Sequence, residues 1–329
     1  MTHKICYLYR IDLALRRFIK LDVRNARYWP HALNVMRRAY VNWPHVIVSL
    51  LINDVAVGKT RDGGSWQGDH LGLFSYAKLV AYAGCRASAA AQDYIELQCD
   101  DGYSSKMRIY VPRHSGPSNT TADRYSGLLD MIADYKSILS SDVKDKSVLD
   151  VGAFVGDSAI LFALMGARRV VAVEPLPLAY QVARKNVEAN SLSDVITLVN
   201  CVVSREDGKT LMMPSSELYG GVFRTTVDVR GDTPVSTCTL DSLIDRYGPF
   251  DVMKMDCEGC EHESIPYSRR VSSLEVVFLE YHDGYEDVAR KLKEDGFEVL
   301  FSGSLVAPKL YKSAVSSKQG YIYASKKSV

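Results

Sequence analysis

Apolar runs of strand length alternate with amphipathic segments of helix length throughout the second half of the chain. This alternation is typical of βαβ units, in which a helix connects each strand to the next parallel strand. We therefore expect residues 141–329 to form a doubly wound, Rossmann-like α/β domain with a mainly parallel seven-stranded sheet. The predicted strands are Val148–Val151, Arg169–Val173, Val195–Val199, Val252–Met255, Val276–Leu279, Glu298–Phe301 and Tyr321–Ala324.

The remaining segments have a less regular pattern. Residues 1–140 are predicted to form a smaller α+β region, whose role, acceptor binding or oligomerisation, stays open. Within it, Val46–Ala56 reads as a pair of strands and Leu71–Ala90 as mostly helix. The insertion Cys201–Thr239 interrupts the alternation and is predicted to add β structure, with strands at Leu211–Met213 and Val222–Val229.

The composition excludes several classes of function. The chain of 329 residues has a formal net charge of +1 and no run of five like charges, so a broad surface for nucleic acid or acidic lipid is not expected. Its most apolar stretch, Val46–Val57, is too short to cross a bilayer and contains Asn53 and Asp54. The first residues lack the ordered parts of a secretion signal. We expect a cytoplasmic protein without a membrane partner.

Seven cysteines are scattered along the chain and do not resemble the dense pairing of a secreted disulfide scaffold. Reduced thiols are therefore expected. Cys257 and Cys260 form a lone Cys-x-x-Cys, for which a structural zinc site would need two further ligands at comparable spacing. His262 could be one of them, but a fourth ligand is not evident, so we expect small apolar residues packed around a turn, and no metal. A disulfide between the two cysteines is a less favoured alternative.

A strand that runs into a glycine-containing turn predicts a ligand site. Val148–Val151 leads into Gly152 and Gly156, and a helix follows. Such glycines let the backbone approach a ligand beyond the carboxyl end of a strand. Glu174 ends the next strand, where an acidic side chain accepts hydrogen bonds from a ribose diol.

The spacing within this turn helps to choose the ligand. A dinucleotide loop reads Gly-x-Gly-x-x-Gly to admit a pyrophosphate, but here Phe154 stands at the middle glycine position. S-adenosylmethionine has no phosphate, and its sulfonium and ribose match a turn with acidic neighbours such as Asp150 and Glu174. NAD is the less favoured alternative.

A second motif makes the interpretation specific. Residues 254–261 read Lys-x-Asp-x-Glu-Gly-x-Glu after a Thr-Leu-Asp lead-in at 239–241, and residues 150–156 read Asp-x-Gly-Ala-x-x-Gly. Together the two motifs resemble the FkbM family of S-adenosylmethionine-dependent methyltransferases, over about Ser147 to Glu280. The departures are Phe154, where many members have Asn, and Cys257 and Cys260, where apolar or small residues are common.

The resemblance implies the seven-stranded methyltransferase form of the sheet, S-adenosylmethionine as cofactor, and a hydroxyl of a sugar or other small polar molecule as methyl acceptor. A homo-oligomer is compatible with it, and nucleic acid is not an expected partner. The residues expected at the cofactor are Asp150, Gly152, Ala153, Phe154, Gly156, Glu174, Asn200 and Cys201.

Methyl transfer to a hydroxyl requires positioning and a base. Glu258, just beyond the fourth strand, is the predicted base, and His282, at the end of the fifth, is its rival. Asp256 and Lys254 complete the predicted catalytic group, in which Lys254 pairs with a carboxylate or orients the acceptor. A less favoured alternative has Asp256 and Glu258 bind a divalent cation with Glu280.

Two other functions stay open. Ribose O-methylation of RNA is compatible with the arginine and tyrosine residues between Tyr9 and Tyr40, which can also be a solvated helix face. A catalytically silent protein that binds S-adenosylmethionine is the other alternative, because a fold alone does not establish activity.

Overall fold

The computed structural model describes residues 29–53, 55–89, 94–99, 107–110, 121–216, 231–302, 310–314 and 318–326. Contacts within the chain divide it into two compact units, one formed by Met1–Lys106 and Val111–Asp134, the other by Met107–Tyr110 and Tyr135–Val329.

The first unit combines helices with short antiparallel strands, as the predicted α+β region requires. Strand β1 pairs with β2, and β3 with β4. The elements are α1 (Trp29–Ala39), α2 (Trp43–Asn53), β1 (Ala56–Lys59), β2 (Ser65–Gly68), α3 (His70–Lys78), β3 (Cys85–Ala89) and β4 (Tyr94–Cys99). Helix α4 (Thr121–Leu139) contains the division between the units at Asp134 and Tyr135.

Two predictions for this unit were wrong in part. Val46–Ala56 is not a pair of strands, because most of it belongs to helix α2. A short apolar run does not distinguish a strand from a helix, and Pro44 near the helix start has a φ that suits the first turn. The predicted helix Leu71–Ala90 holds only to Ala83, since Cys85–Ala89 is strand β3.

The second unit contains the predicted doubly wound sheet. Its elements are β5 (Met107–Tyr110), β6 (Ser147–Val151), α5 (Asp157–Leu164), β7 (Arg169–Val173), α6 (Pro177–Ala189), β8 (Ile196–Val199), β9 (Val202–Val203), β10 (Thr210–Met213), β11 (Thr233–Cys238), α7 (Leu240–Tyr247), β12 (Val252–Met255), α8 (Cys260–Ser264), β13 (Val276–His282), α9 (Glu286–Glu294), β14 (Phe297–Ser302) and β15 (Gln319–Lys326).

The seven strands of the main sheet lie in the order β14-β15-β13-β12-β6-β7-β8. Six of them run in the same direction, and β15 runs antiparallel between β13 and β14. Counted along the chain, the order from the β8 edge is 3-2-1-4-5-7-6. This confirms the predicted fold class. The connections reverse direction beside β6, and in open α/β sheets ligands bind at such a switch point, beyond the carboxyl ends of the strands.

The insertion between β8 and α7 forms a three-stranded sheet in the order β10-β11-β9. The predicted strand Leu211–Met213 lies within β10, which confirms it. The predicted strand Val222–Val229 lies outside the described residues.

Two asparagines, one in α6 and one directly after it, bind strand β5 through their side-chain amides. The amide groups of Asn186 and Asn190 exchange hydrogen bonds of 2.7–3.0 Å with the backbone of Tyr110 and Arg108. Asn186 also donates to the carbonyl of Val155, at 2.9 Å. Thus one buried side chain connects β5 to the loop that follows β6.

The expectation of reduced thiols is contradicted by two disulfides of the second unit. Cys201 pairs with Cys238, and Cys257 with Cys260. The chain geometry brings each pair of Cα atoms to 6.1 and 5.5 Å, within the range that a disulfide needs. Among the described residues, no helix combines the length and the apolar character that crossing a membrane demands.

Candidate active site

The turn after β6 is built by close backbone contacts. Gly152 has φ of 75°, and a Cβ atom placed on it would lie 1.7 Å from the carbonyl oxygen of Asp256. The backbone amides of Gly152 and Ala153 both donate to the carbonyl of Val173, at 2.9 and 3.0 Å. Gly156, with φ of 82°, packs close to Ala183 of helix α6. Only glycine fits at position 152.

Glu174 follows β7 and faces this turn. It is almost fully buried, and its two carboxylate oxygens accept hydrogen bonds of 2.8 Å from the amides of Phe154 and Leu176. Burial raises the pKa of Glu174 to about 7, although these amides offset part of the effect. Each carboxylate oxygen has a further lone pair, so the group can accept hydrogen bonds from a ligand diol.

The two residues predicted near the adenine lie at the end of β8. The side-chain amide of Asn200 donates to the carbonyls of Glu174 and Pro175, at 2.8 and 3.0 Å. The structure therefore joins Asn200 to the Glu174 end of the site. The thiol sulfur of Cys201 is bonded to Cys238, so only its backbone and disulfide are available to a ligand.

A buried ion pair lies beneath the turn. Asp150 and Lys254 are register partners on adjacent strands β6 and β12, and their charged atoms lie 3.0 Å apart with neither side chain exposed. Lys254 Nζ also donates to the carbonyl of Gly152 at 2.7 Å, and Ser158 donates to Asp150 at 2.6 Å. Burial lowers the pKa of Lys254, but the charges of Asp150 and Asp256 outweigh it and raise the pKa. The structure thus places Lys254 in the interior, as the partner of a carboxylate.

Asp157, the first residue of α5, is a second buried carboxylate. Among the described residues neither of its oxygens has a hydrogen-bond partner. Burial raises its pKa to about 7, and the charge of Lys254 and the nearby amides offset only part of this. We call residues 150–157 together with Glu174 the cofactor turn.

Three predicted catalytic residues meet beyond β12 and β13. One ligand atom each of Asp256, Glu258 and His282 lies within 4.8 Å of the others. His282 Nε2 is 3.4 Å from the carboxylate of Glu258 and 4.0 Å from that of Glu280. We call Asp256, Glu258 and His282 the carboxylate–histidine cluster. Lys254 is not part of it.

Buried partners fix the orientation of two cluster members. Glu261, fully buried on α8, accepts a hydrogen bond of 2.8 Å from the backbone amide of His282 and faces its Nδ1 at 3.3 Å. The proton of a neutral imidazole therefore belongs on Nδ1, and Nε2 is directed at the cluster. The hydroxyl of Tyr135 donates to Asp256 at 3.2 Å. Glu280 accepts from Gln319 at 2.7 Å.

The electrostatics of the cluster are dominated by acidic groups. Burial alone would lower the pKa of His282, but Glu261, Glu258 and Glu280 raise it to about 9. Burial raises the pKa of Glu280 to about 8, and the charge of Asp256 adds to the shift. A single imidazole thus faces several carboxylates.

Glu258 is held in an unusual backbone conformation. Its φ of 57° lies in the left-handed region, which costs an ordinary residue about 1–2 kcal/mol. The disulfide between Cys257 and Cys260 brackets it, and its side chain is 47% exposed. Burial of the remaining part raises its pKa. Its carboxylate is the cluster member most accessible to an acceptor.

Sequence reasoning missed the residues that support the site. Glu261 stands in the quoted motif, but nothing in the sequence shows that it faces His282. Tyr135 and Asp157 carry no signal of their own, except that Asp157 directly follows the glycine turn.

Residues 150–299 match the family described as methyltransferase FkbM domain. This match covers 150 of the 329 residues of the chain. This confirms the resemblance predicted from the two motifs, and the match begins at Asp150 and includes both the cofactor turn and the carboxylate–histidine cluster. Residues 150–299 are therefore similar to a methyltransferase domain, and the match does not identify an acceptor.

Other similarities are more distant. The ribosomal protein L11 methyltransferase of Carboxydothermus hydrogenoformans is 44% identical over 54 residues, 16% of this chain and 18% of that protein, so the match spans less than a fifth of the relative. Methyltransferase FkbM from Methylobacillus flagellatus KT is similar over 54% of this chain and 43% of its own, with 16% identity and a TM-score of 0.37. Precorrin-6y C5,15-methyltransferase from Geobacter metallireducens GS-15 is similar over 59% and 88%, with 15% identity and a TM-score of 0.36.

Proposed function

We propose that this protein binds S-adenosylmethionine at the cofactor turn and transfers its methyl group to a hydroxyl of a sugar or other small polar acceptor. The observation that carries the proposal is the position of Glu174 beside the turn at Gly152, at the switch point of the sheet. Its carboxylate supports a ribose diol there, and Phe154, at the middle glycine position, argues against a pyrophosphate.

The charges of the cofactor turn favour the same ligand. Asp150 is neutralised by Lys254, whereas Asp157 and Glu174 have no lysine or arginine partner among the described residues. The sulfonium and ammonium groups of S-adenosylmethionine are cationic, so uncompensated acidic groups favour it over a phosphorylated cofactor, which they would repel.

The carboxylate–histidine cluster supports chemistry at a hydroxyl. The acceptor oxygen attacks the methyl carbon in line with the sulfur, so the new O–C bond forms as the C–S bond breaks. S-adenosylhomocysteine leaves with the electron pair of that bond. We assign the acceptor proton to Glu258, because its carboxylate is half exposed while the imidazole of its rival His282 is held inside the protein.

Calorimetric titration with S-adenosylhomocysteine tests the cofactor step. We expect micromolar binding, about 8 kcal/mol, and a loss of at least about tenfold in Glu174→Ala, because hydrogen bonds to a charged group contribute about 1.5–3 kcal/mol. Glu188→Gln, an exposed carboxylate of α6, is the control and should bind as the native protein does. Absence of binding by the native protein would overturn the proposal.

Transfer of an isotopically labelled methyl group tests the acceptor class. The panel contains monosaccharides, oligosaccharides and unmodified RNA. We expect label in an alkali-stable ether of a sugar hydroxyl and a large loss in Glu258→Gln, with binding of S-adenosylhomocysteine retained. Label in RNA ribose alone would contradict the acceptor class while leaving the cofactor in place. Binding without transfer to any of these acceptors would favour a silent protein.

A further inference from the structure

We propose that the carboxylate–histidine cluster binds one divalent metal cation through Asp256, Glu258 and His282. The inference deepens the proposed function, on which its catalytic role rests. It also replaces the expectation of a site without metal. That expectation was based on the spacing of the cysteines and on a set of carboxylates that did not include His282.

The ligand atoms of the cluster and their spacing suit a metal cation. Two carboxylate oxygens and one imidazole nitrogen, from the ends of neighbouring strands β12 and β13, lie within 4.8 Å of one another. Inward shifts of about 1 Å would bring such atoms to the 2.0–2.2 Å bonds of a first-row divalent cation. A mixed nitrogen and oxygen set suits Mn²⁺ or Zn²⁺.

Among the described residues, the ion-pair neighbours of His282 Nε2 are the carboxylates of Glu258 and Glu280, at 3.4 and 4.0 Å. The side chain of His282 is more than nine-tenths buried, and Nε2 makes no hydrogen bond with any described residue. It points at the cluster because Glu261 engages Nδ1 from the other side. A histidine that ligates a metal typically has this arrangement, in which a carboxylate on one nitrogen leaves the other nitrogen free to bind.

The charges around His282 also favour a bound cation. Asp256, Glu258 and Glu280 surround one imidazole, and within the described parts of the chain no lysine or arginine lies within ion-pair distance of them. The nearby Lys254 is engaged by Asp150 and by the carbonyl of Gly152. A divalent cation would remove the repulsion between these carboxylates, which water screens poorly in a buried site.

Such a cation would assist the proposed transfer of the methyl group. Three protein ligands leave coordination positions open, so the acceptor oxygen can bind the metal, which increases the acidity of the hydroxyl. The oxygen of Glu258 that does not bind the metal takes the proton, and the two ligand carboxylates offset the repulsion between the metal and the sulfonium. The bonds made and broken are those already given.

The test is a Mn²⁺ titration of the full-length protein, followed by electron paramagnetic resonance, with S-adenosylhomocysteine present. We expect one saturable Mn²⁺ per chain, and affinities at least about tenfold lower in His282→Gln and Asp256→Asn. Glu261→Gln should also weaken binding about tenfold, since it removes the charge that orients the histidine. Glu263→Gln, on the same helix but paired with Arg205, is the matched control.

The outcomes separate this inference from the proposed function. If S-adenosylhomocysteine binds but neither Mn²⁺ nor Zn²⁺ saturates a site at millimolar concentration, the metal site is overturned and the methyltransferase proposal stands. Metal binding that is unchanged in both His282→Gln and Asp256→Asn would also overturn the site. Glu258→Gln, at the half-exposed position, provides a ligand variant with the smallest risk to folding. Failure of the native protein to bind S-adenosylhomocysteine contradicts the proposed function whatever the metal result.

Discussion

The cofactor turn and the carboxylate–histidine cluster lie at the ends of adjacent strands but balance their charges differently. In the turn, Asp150 has a buried lysine and a serine, and Glu174 has two backbone amides. In the cluster, several carboxylates share one histidine. The first region gives Asp150 and Glu174 partners of their own and leaves Asp157 without one among the described residues. The second has an excess of negative charge, which a cationic partner would balance.

The largest expected effect is on the free energy of unfolding, and it distinguishes the buried ion pair of Lys254 from an exposed ion pair on the surface. Lys254→Met leaves Asp150 charged and buried without its cation, and removing one partner of such a pair costs about 3–5 kcal/mol. We expect the free energy of unfolding to fall by this amount in urea denaturation. Lys146→Met is the control, because Lys146 and Glu275 form an exposed pair and such pairs contribute at most about 1 kcal/mol. Similar losses in both variants would show that burial is not what makes the Lys254 pair matter.

The second largest expected effect is the loss of stability on removal of each disulfide, which should differ between the two regions. The Cys201–Cys238 bond closes a long loop and follows the Asn200 end of the cofactor site, whereas Cys257–Cys260 closes a very short one around Glu258. Loop-closure entropy predicts about 4 kcal/mol for the first and about 2 kcal/mol for the second. We expect urea denaturation under non-reducing conditions to show this ranking for the two Cys→Ala double variants.

The same two variants should rank in the opposite order for Mn²⁺. The Cys257–Cys260 bond restrains the loop that presents Glu258, so its removal should weaken Mn²⁺ binding more than removal of the other bond. If both double variants lose the same stability and the same Mn²⁺ affinity, the disulfides do not distinguish the two regions.

The smallest expected effect concerns the one carboxylate of the cofactor turn that has no partner. The pKa of Asp157 is raised from 3.8 to about 7 in the folded protein, so the native state keeps a proton that the unfolded chain releases. Stability is therefore lost as the pH rises from about 4 to 7, and the full penalty remains above 7. Asp157→Asn should raise the free energy of unfolding at pH 8 by about 1–3 kcal/mol.

This gain should be much smaller near pH 4, where the folded protein keeps the proton and the carboxyl of the unfolded chain is about half protonated. Urea denaturation at pH 4, 6 and 8 measures it, and Asp245→Asn, at an exposed pair with Arg270, is the control. A gain that is equal at all three pH values would show that shape, rather than charge, limits stability at position 157.

The sequence predicted the strand, turn and helix at residues 148–164 because residues that are neighbours in space there are also near one another in a motif. The strand Val148–Val151, the glycines at 152 and 156 and the acidic end of β7 follow from local patterns that are linked by one βαβ unit. Glu258, His282 and Asp256 were predicted to belong to one catalytic group, and the parallel strands β12 and β13 bring their carboxyl ends to one edge.

The partners of these residues could not be predicted in the same way. That Lys254 faces Asp150 depends on the register of β12 against β6, about a hundred residues apart in the chain. That Glu261 orients His282 depends on where α8 packs. Cys201–Cys238 likewise joins positions that only the insertion brings together. Helix α2 was missed for a different reason, since its apolar run fits a strand equally well.

The contact between Gly152 and the carbonyl of Asp256 links the two motifs mechanically. The space that a side chain would occupy at position 152 is filled by the backbone of the loop that presents Glu258. We call the loop that presents Glu258 the acceptor loop. The backbones of the cofactor turn and the acceptor loop therefore cannot change independently of each other. Transplanting the acceptor loop from another methyltransferase, to change its substrate, would succeed only if the donor loop passes equally close to a glycine, so the two segments form one unit for engineering.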